Sequence, residues 1–99
     1  MIIKHEAVDP LAFDELKIVD YTAGQDNSSS FAEITVPAGV SHRLSWSIRS
    51  DKYYYVVQGS VSFTVNKESG NLAAGDVCLV PQGERFSYTN TGSGDAVLI

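Results

Sequence analysis

From residue 31 onward, apolar side chains fall on every second position, in short runs divided by turn-forming residues. Ala32, Ile34 and Val36 alternate with Glu33 and Thr35, and Val61, Phe63 and Val65 alternate with Ser62 and Thr64. A period of two puts alternate side chains on one face of a pleated strand, so these runs predict strands over residues 31–36 and 61–65. Residues 53–57, Tyr-Tyr-Tyr-Val-Val, are all aromatic or β-branched and predict a third. Residues 77–80 and 96–99 add two short ones. Residues 37–39, 66–70, 72–76 and 91–95 carry the Gly, Pro, Asn and Asp of turns, and 66–70 reads as a hairpin bend.

Ahead of residue 31 this period is lost. Pro10 behind Asp9 suits a first helical position after a cap, so residues 9–16 predict a short N-terminal helical turn. Residues 24–30, Gly-Gln-Asp-Asn-Ser-Ser-Ser, hold no packing side chain and read as a loop. The last strand meets the C-terminus without a cap. Either the barrel is closed by a very short edge, or the native chain continues past Ile99.

One stretch says more than periodicity. Gly75, Pro81, Gly83 and Asn90 stand in the order glycine, five residues, Pro-x-Gly, six residues, Asn. This resembles the second conserved motif of the cupin superfamily, whose metal-binding histidine falls at the position of Phe86 here. The first motif overlays the upstream sequence without a gap, with Gly39 and Gly59 on its two glycines and Pro37-Ala38 and Val56-Val57-Gln58 as flanks. Its His, His and Glu ligands are then Ser45, Ser47 and Lys52. On the family's alternative spacing, Trp46 and Ile48 take the histidine positions, and the ligands are still missing. The fifteen residues between the motifs, 60–74, fit a compact cupin.

The resemblance implies a single all-β domain over residues 1–99, a cupin-like double-stranded β-helix (jelly-roll) barrel with motif regions at 39–59 and 75–90. It also implies that no metal and no other cofactor is held, because hydroxyls, an amine and a phenyl ring are poor ligands for a divalent metal. If Lys52 points inward as the family's glutamate does, the pleat puts Tyr54 and Val56 on the same interior face, and Phe86, Tyr88 and Asn90 share another. The expected ligand pocket is Ser45, Ser47, Lys52, Tyr54, Phe86 and Tyr88, with Trp46 just outside or inside. Lys52 then either holds a ligand carboxylate or phosphate, or serves as a base, or snorkels to the mouth to pair with Asp51 or Glu84. His42 reads as a loop histidine, unlike the general base of the metal-free sugar epimerases of this superfold. Cys78 reads as a small buried hydrophobe. Tyr53 and Tyr55 face outward, where aromatics suit a subunit interface.

Composition narrows the classes of function. Ninety-nine residues make one domain, and 43% apolar with 19% charged residues is the balance of a globular chain. A net charge of −5 argues against a nucleic-acid partner, which relies on basic patches, although Arg43, Arg49 and Arg85 leave room for a small local one. Met1-Ile2-Ile3 is cut off by Lys4 and His5, so no signal peptide is expected, and no apolar run has membrane-spanning length. The lone Cys78 allows no internal disulfide, and a cytoplasmic location is the default expectation. Phosphate-cradling loops, Cys-x-x-Cys, Gly-x-Ser-x-Gly and His-Glu-x-x-His motifs are missing. The reading is a metal-independent module that binds a small polar or anionic, sugar- or carboxylate-like ligand and forms a homodimer. Two alternatives stand beside it: a metal-free enzyme, isomerase- or epimerase-like, on a sugar or carbonyl substrate, and a structural homodimerisation domain with a filled barrel.

Overall fold

A computed structural model describes residues 1–24 and 29–99. Ten strands follow one 3-10 turn at His5–Ala7: β1 Leu11–Phe13, β2 Leu16–Asp20, β3 Ala32–Val36, β4 Ser41–Ser45, β5 Lys52–Gln58, β6 Ser60–Val65, β7 Glu68–Ala73, β8 Val77–Val80, β9 Phe86–Asn90 and β10 Ala96–Leu98. They form two antiparallel sheets, ordered β1-β2-β3-β10-β5-β8 and β4-β9-β6-β7, which face each other as the expected jelly-roll barrel. The five strands expected from the sequence are all present, as β3, β5, β6, β8 and β10. Where apolar and polar positions alternate most cleanly the burial follows: Val61 and Phe63 in β6, and Phe86, Tyr88 and Asn90 in β9, are buried.

The N-terminus departs from expectation. Residues 9–16 form no helical turn; Leu11–Phe13 and Leu16–Asp20 pair as a hairpin about Asp14 and Glu15, with Leu11 opposite Ile18 and Phe13 opposite Leu16. A Pro behind an Asp is a helix start only if the following residues bond to themselves, and here β2 finds a partner in β3, from Lys17 opposite Thr35 to Asp20 opposite Ala32. That pairing buries Leu16 and Val19, which outweighs a weak local signal. The loop expected over residues 24–30 falls partly on 25–28, outside the described residues. The hairpin bend is tighter than 66–70: Asn66 and Lys67 make the turn, and Glu68 already pairs with Val65.

The last strand is not a short edge. β10 lies in the middle of the six-stranded sheet, with Ala96 opposite Val36 on one side and Leu98 opposite Val56 on the other, and Ile99 exchanges both backbone hydrogen bonds with Tyr55 at 2.7 and 2.9 Å. Gly59 permits this. It sits at φ +84°, and a Cβ there would stand 3.0 Å from the Ala96 Cα and 3.1 Å from the Asp95 carbonyl oxygen, backbone atoms that cannot step aside.

Asn90 ties the two sheets together. From the end of β9 its Nδ2 donates to the carbonyls of Val36 (2.8 Å) and Gly94 (2.7 Å), while its Oδ1 accepts from Gly92 N–H at 2.8 Å. The motif asparagine is thus a structural cross-link between β3, β9 and the turn before β10.

Candidate functional site

The barrel mouth is where both motifs converge, and it is filled. β9 and β5 carry Phe86, Tyr88 and Tyr54 inward, β6 carries Phe63, and ring centroids stand 4.8 Å apart for Phe63–Tyr88, 5.4 Å for Tyr54–Phe63 and 5.6 Å for Tyr54–Phe86. His42 completes the plug. It lies on β4 opposite Tyr88, not in a loop, and stacks between Phe86 at 5.3 Å and Phe13 at 5.3 Å. Phe13 arrives on the N-terminal hairpin. That hairpin is held by Asp14, whose carboxylate accepts from Arg43 Nε at 3.0 Å and Nη2 at 2.6 Å, and Arg43 also lies over the Phe13 ring. The pair keeps the Asp14 carboxyl below and the Arg43 guanidinium above their ordinary values. Arg43 is therefore engaged, and Arg85 lies over Trp46, so the two do not stand as an open basic patch.

The six expected site residues separate into two groups. Tyr54, Phe86 and Tyr88 are buried against one another and are core. Ser45, Ser47 and Lys52 stay at the rim: Ser45 donates to the Arg43 carbonyl at 3.2 Å, and the Ser47 carbonyl accepts from Gly83 N–H at 2.8 Å. Lys52 does share a face with Tyr54 and Val56, but as the first residue of β5 it emerges exposed at the mouth. Its Nζ hangs over the Phe86 ring, 5.6 Å from the centroid, a cation–π contact. It pairs with neither Asp51 nor Glu84, and among the described residues it has no ion pair. Asp51 instead accepts from Gln82 N–H at 2.8 Å and fixes the turn before β9. Trp46 is about half exposed and lies outside the barrel.

Burial sets the electrostatics here. It pushes the Tyr54 phenol up to about 12, and the Tyr88 phenol well above its usual range, with the Tyr88 hydroxyl lacking any hydrogen-bond partner among the described residues. No hydrogen bond joins Lys52 to either phenol. His42 donates from Nδ1 to the Arg43 carbonyl at 2.6 Å, since only an N–H can serve a carbonyl, which leaves Nε2 as the acceptor of the neutral ring. Desolvation holds its pKa below the ordinary value; the bond to Arg43 opposes this, and the Lys52 ammonium adds to it.

A metal does not fit the motif positions. Ser45, Ser47, Lys52 and Phe86 supply no imidazole, carboxylate or thiolate, and among the described residues no group of three or more His, Cys, Asp or Glu could hold an ion. No helix among the described residues is long and apolar enough to cross a membrane.

A model of the cupin domain matches residues 33–99, two thirds of the chain and both motifs. The chain belongs to the cupin family. An oxalate-binding protein of Thermotoga maritima is 35% identical over 65 residues, which are 66% of this chain and 54% of that protein, so this cupin spans about half of the curated relative it matches. Among solved structures, a predicted oxalate decarboxylase of Thermotoga maritima superposes with a TM-score of 0.85 at 24% identity, over 99% of this chain and 94% of that one. The Drosophila melanogaster CENP-C cupin domain gives the same TM-score at 14% identity, over 98% and 76%. Both likenesses concern the fold.

From the sequence His42 reads only as a loop histidine and Arg43 only as part of a small basic patch, and neither Phe13 nor Asp14 stands out. Only His42 carried a signal, as one of two imidazoles placed just ahead of the first motif's ligand positions. The others matter through the hairpin, which the sequence pattern did not reveal.

Proposed function

We propose that this cupin is a metal-independent module that holds a small carboxylate at the rim of its aromatic-filled barrel. The observation that carries the reading is Lys52, an exposed ammonium with no ion pair among the described residues, set above the Phe86 ring. His42 and the Ser45 hydroxyl belong to the same mouth. A cation beside an apolar surface attracts an anion more strongly than one in open water, because screening by solvent is weaker there. A dicarboxylate the size of oxalate needs no cavity beneath it. Likeness to an oxalate-binding protein supports that class of ligand.

The test is a titration of the chelator-treated protein with oxalate, followed by the ring resonances of His42. Bound oxalate favours the imidazolium, so the His42 pKa, held below the ordinary histidine value in the free protein, is expected to rise, and affinity to increase as pH falls toward that depressed value. Lys52→Met keeps the length of the stem and removes the charge, and should weaken binding by at least about tenfold, or about 1.4 kcal/mol. Binding that needs added metal, or that ignores Lys52→Met, overturns the reading.

A second reading, self-association, rests on a separate observation. Tyr53 opposite Leu79 and Tyr55 opposite Val77 make an apolar patch on the outer face of β5 and β8, with Tyr53 69% and Val77 53% exposed. Contiguous exposed apolar surface of this kind marks interfaces. Light scattering is expected to give twice the 10.7 kDa monomer mass, and the double variant Tyr55→Glu/Val77→Glu to give the monomer. A monomer at all accessible concentrations sinks this reading.

A further inference from the structure

The barrel has a second open side, between the edges of its two sheets. β7 pairs only with β6 and β8 only with β5, so each is the free edge of its sheet. A groove of about 650 Å³ lies between these edges, within the size range of small-molecule sites. Its apolar lining comes from the inward-facing Phe63 and Val65 on β6, Leu72 on β7 and Cys78 on β8, the last opposite buried Tyr54, and at its margin from Val77 and Leu79 of the outer patch. Gly70 keeps the space clear. It stands opposite Phe63 in the register, and a Cβ added to it meets nothing within 4 Å.

The charges in this groove are biased. Exposed Glu68 and half-buried Glu84 line it against one ammonium, Lys67, and none of the three forms an ion pair among the described residues. Glu68 faces the Cys78 thiol closely enough to add to burial in pushing its pKa up. An apolar trough with an excess of unpaired carboxylate selects a ligand with an apolar body and a positive end. It repels the small carboxylates argued for the mouth.

We propose that the groove between β7 and β8 binds a small organic cation with an apolar body, an aryl- or alkylamine, its ring or chain against Phe63, Val65 and Leu72 and its ammonium toward Glu68 and Glu84. Burying the apolar body supplies the drive, at roughly 25 cal/mol for each Å² removed from water. The carboxylates supply orientation and choice of sign. This site does not depend on the carboxylate site at the mouth.

Cys78, the single cysteine, makes occupancy measurable. Tryptamine is the probe, and the rate of Cys78 alkylation by iodoacetamide is the readout. Saturating tryptamine should slow the alkylation by about tenfold, whereas indole-3-propionate, with the same ring and the opposite charge, should leave it unchanged. Glu68→Gln/Glu84→Gln should weaken tryptamine protection by about tenfold with no change in melting temperature. Gly70→Leu, which fills the trough, should abolish calorimetric tryptamine binding while the melting temperature holds. Equal protection by the two indoles, no protection at millimolar tryptamine, or alkylation that slows with protein concentration alone would each overturn the assignment. The last result would mean that a second copy covers the groove.

Discussion

Asn90→Ala is expected to remove roughly 3–4 kcal/mol of stability, about 1 kcal/mol for each of three hydrogen bonds plus the cost of buried groups left unpaired. The Val36 carbonyl and the Asn90 amide meet in a buried contact, so water cannot take the lost place. For a domain of this size, with a total stability on the order of 5–15 kcal/mol, that is a large fraction. Urea denaturation followed by circular dichroism measures it, and the slope of the transition should stay the same, because the exposed surface hardly changes. Asn90→Asp keeps the acceptor for Gly92 N–H but loses both donors, and should be no milder. A loss below about 1 kcal/mol would mean that the sheets do not depend on this cross-link.

Phe86→Ala should cost about 3–5 kcal/mol, the range for deleting a packed aromatic ring from a core that cannot collapse. The ring is in contact with Tyr54, His42 and the Lys52 ammonium, and none of these can move in without giving up its other partners. Phe86→Leu keeps most of the volume and should cost less than half as much. Thermal unfolding of the two variants distinguishes the cases. Near-equal, small losses for both would mean that the mouth is looser than the stacking distances imply, with space for a ligand beneath Lys52.

The framework was legible in the sequence because it is written in backbone chemistry. Gly59 is required by a positive φ under β10, and Asn90 by a place where only a side chain with both a donor and an acceptor closes three bonds. The period of two also put Tyr54, Phe86 and Tyr88 on inner faces correctly. What it could not say is whether those faces enclose a space. That depends on how far side chains from both sheets reach across, and on Phe13, which enters through a hairpin whose Asp9-Pro10 signal serves helix and turn alike. Lys52 shows the same limit: alternation gave its direction, and only its place at the strand's first residue shows that an inward direction there ends in solvent.

The central position of β10 bears on how the chain acquires its structure. β3 and β5 each lack a neighbour until residues 96–98 arrive, and β3 must then find a segment some sixty residues further along the chain. Closing a loop of that length before any contact rewards it is slow, so folding is expected in the range of milliseconds to seconds typical of non-local β topologies. Until β10 docks, the partly made barrel presents two unpaired edges, along β3 and β5, and exposure to aggregation should be greatest in that interval.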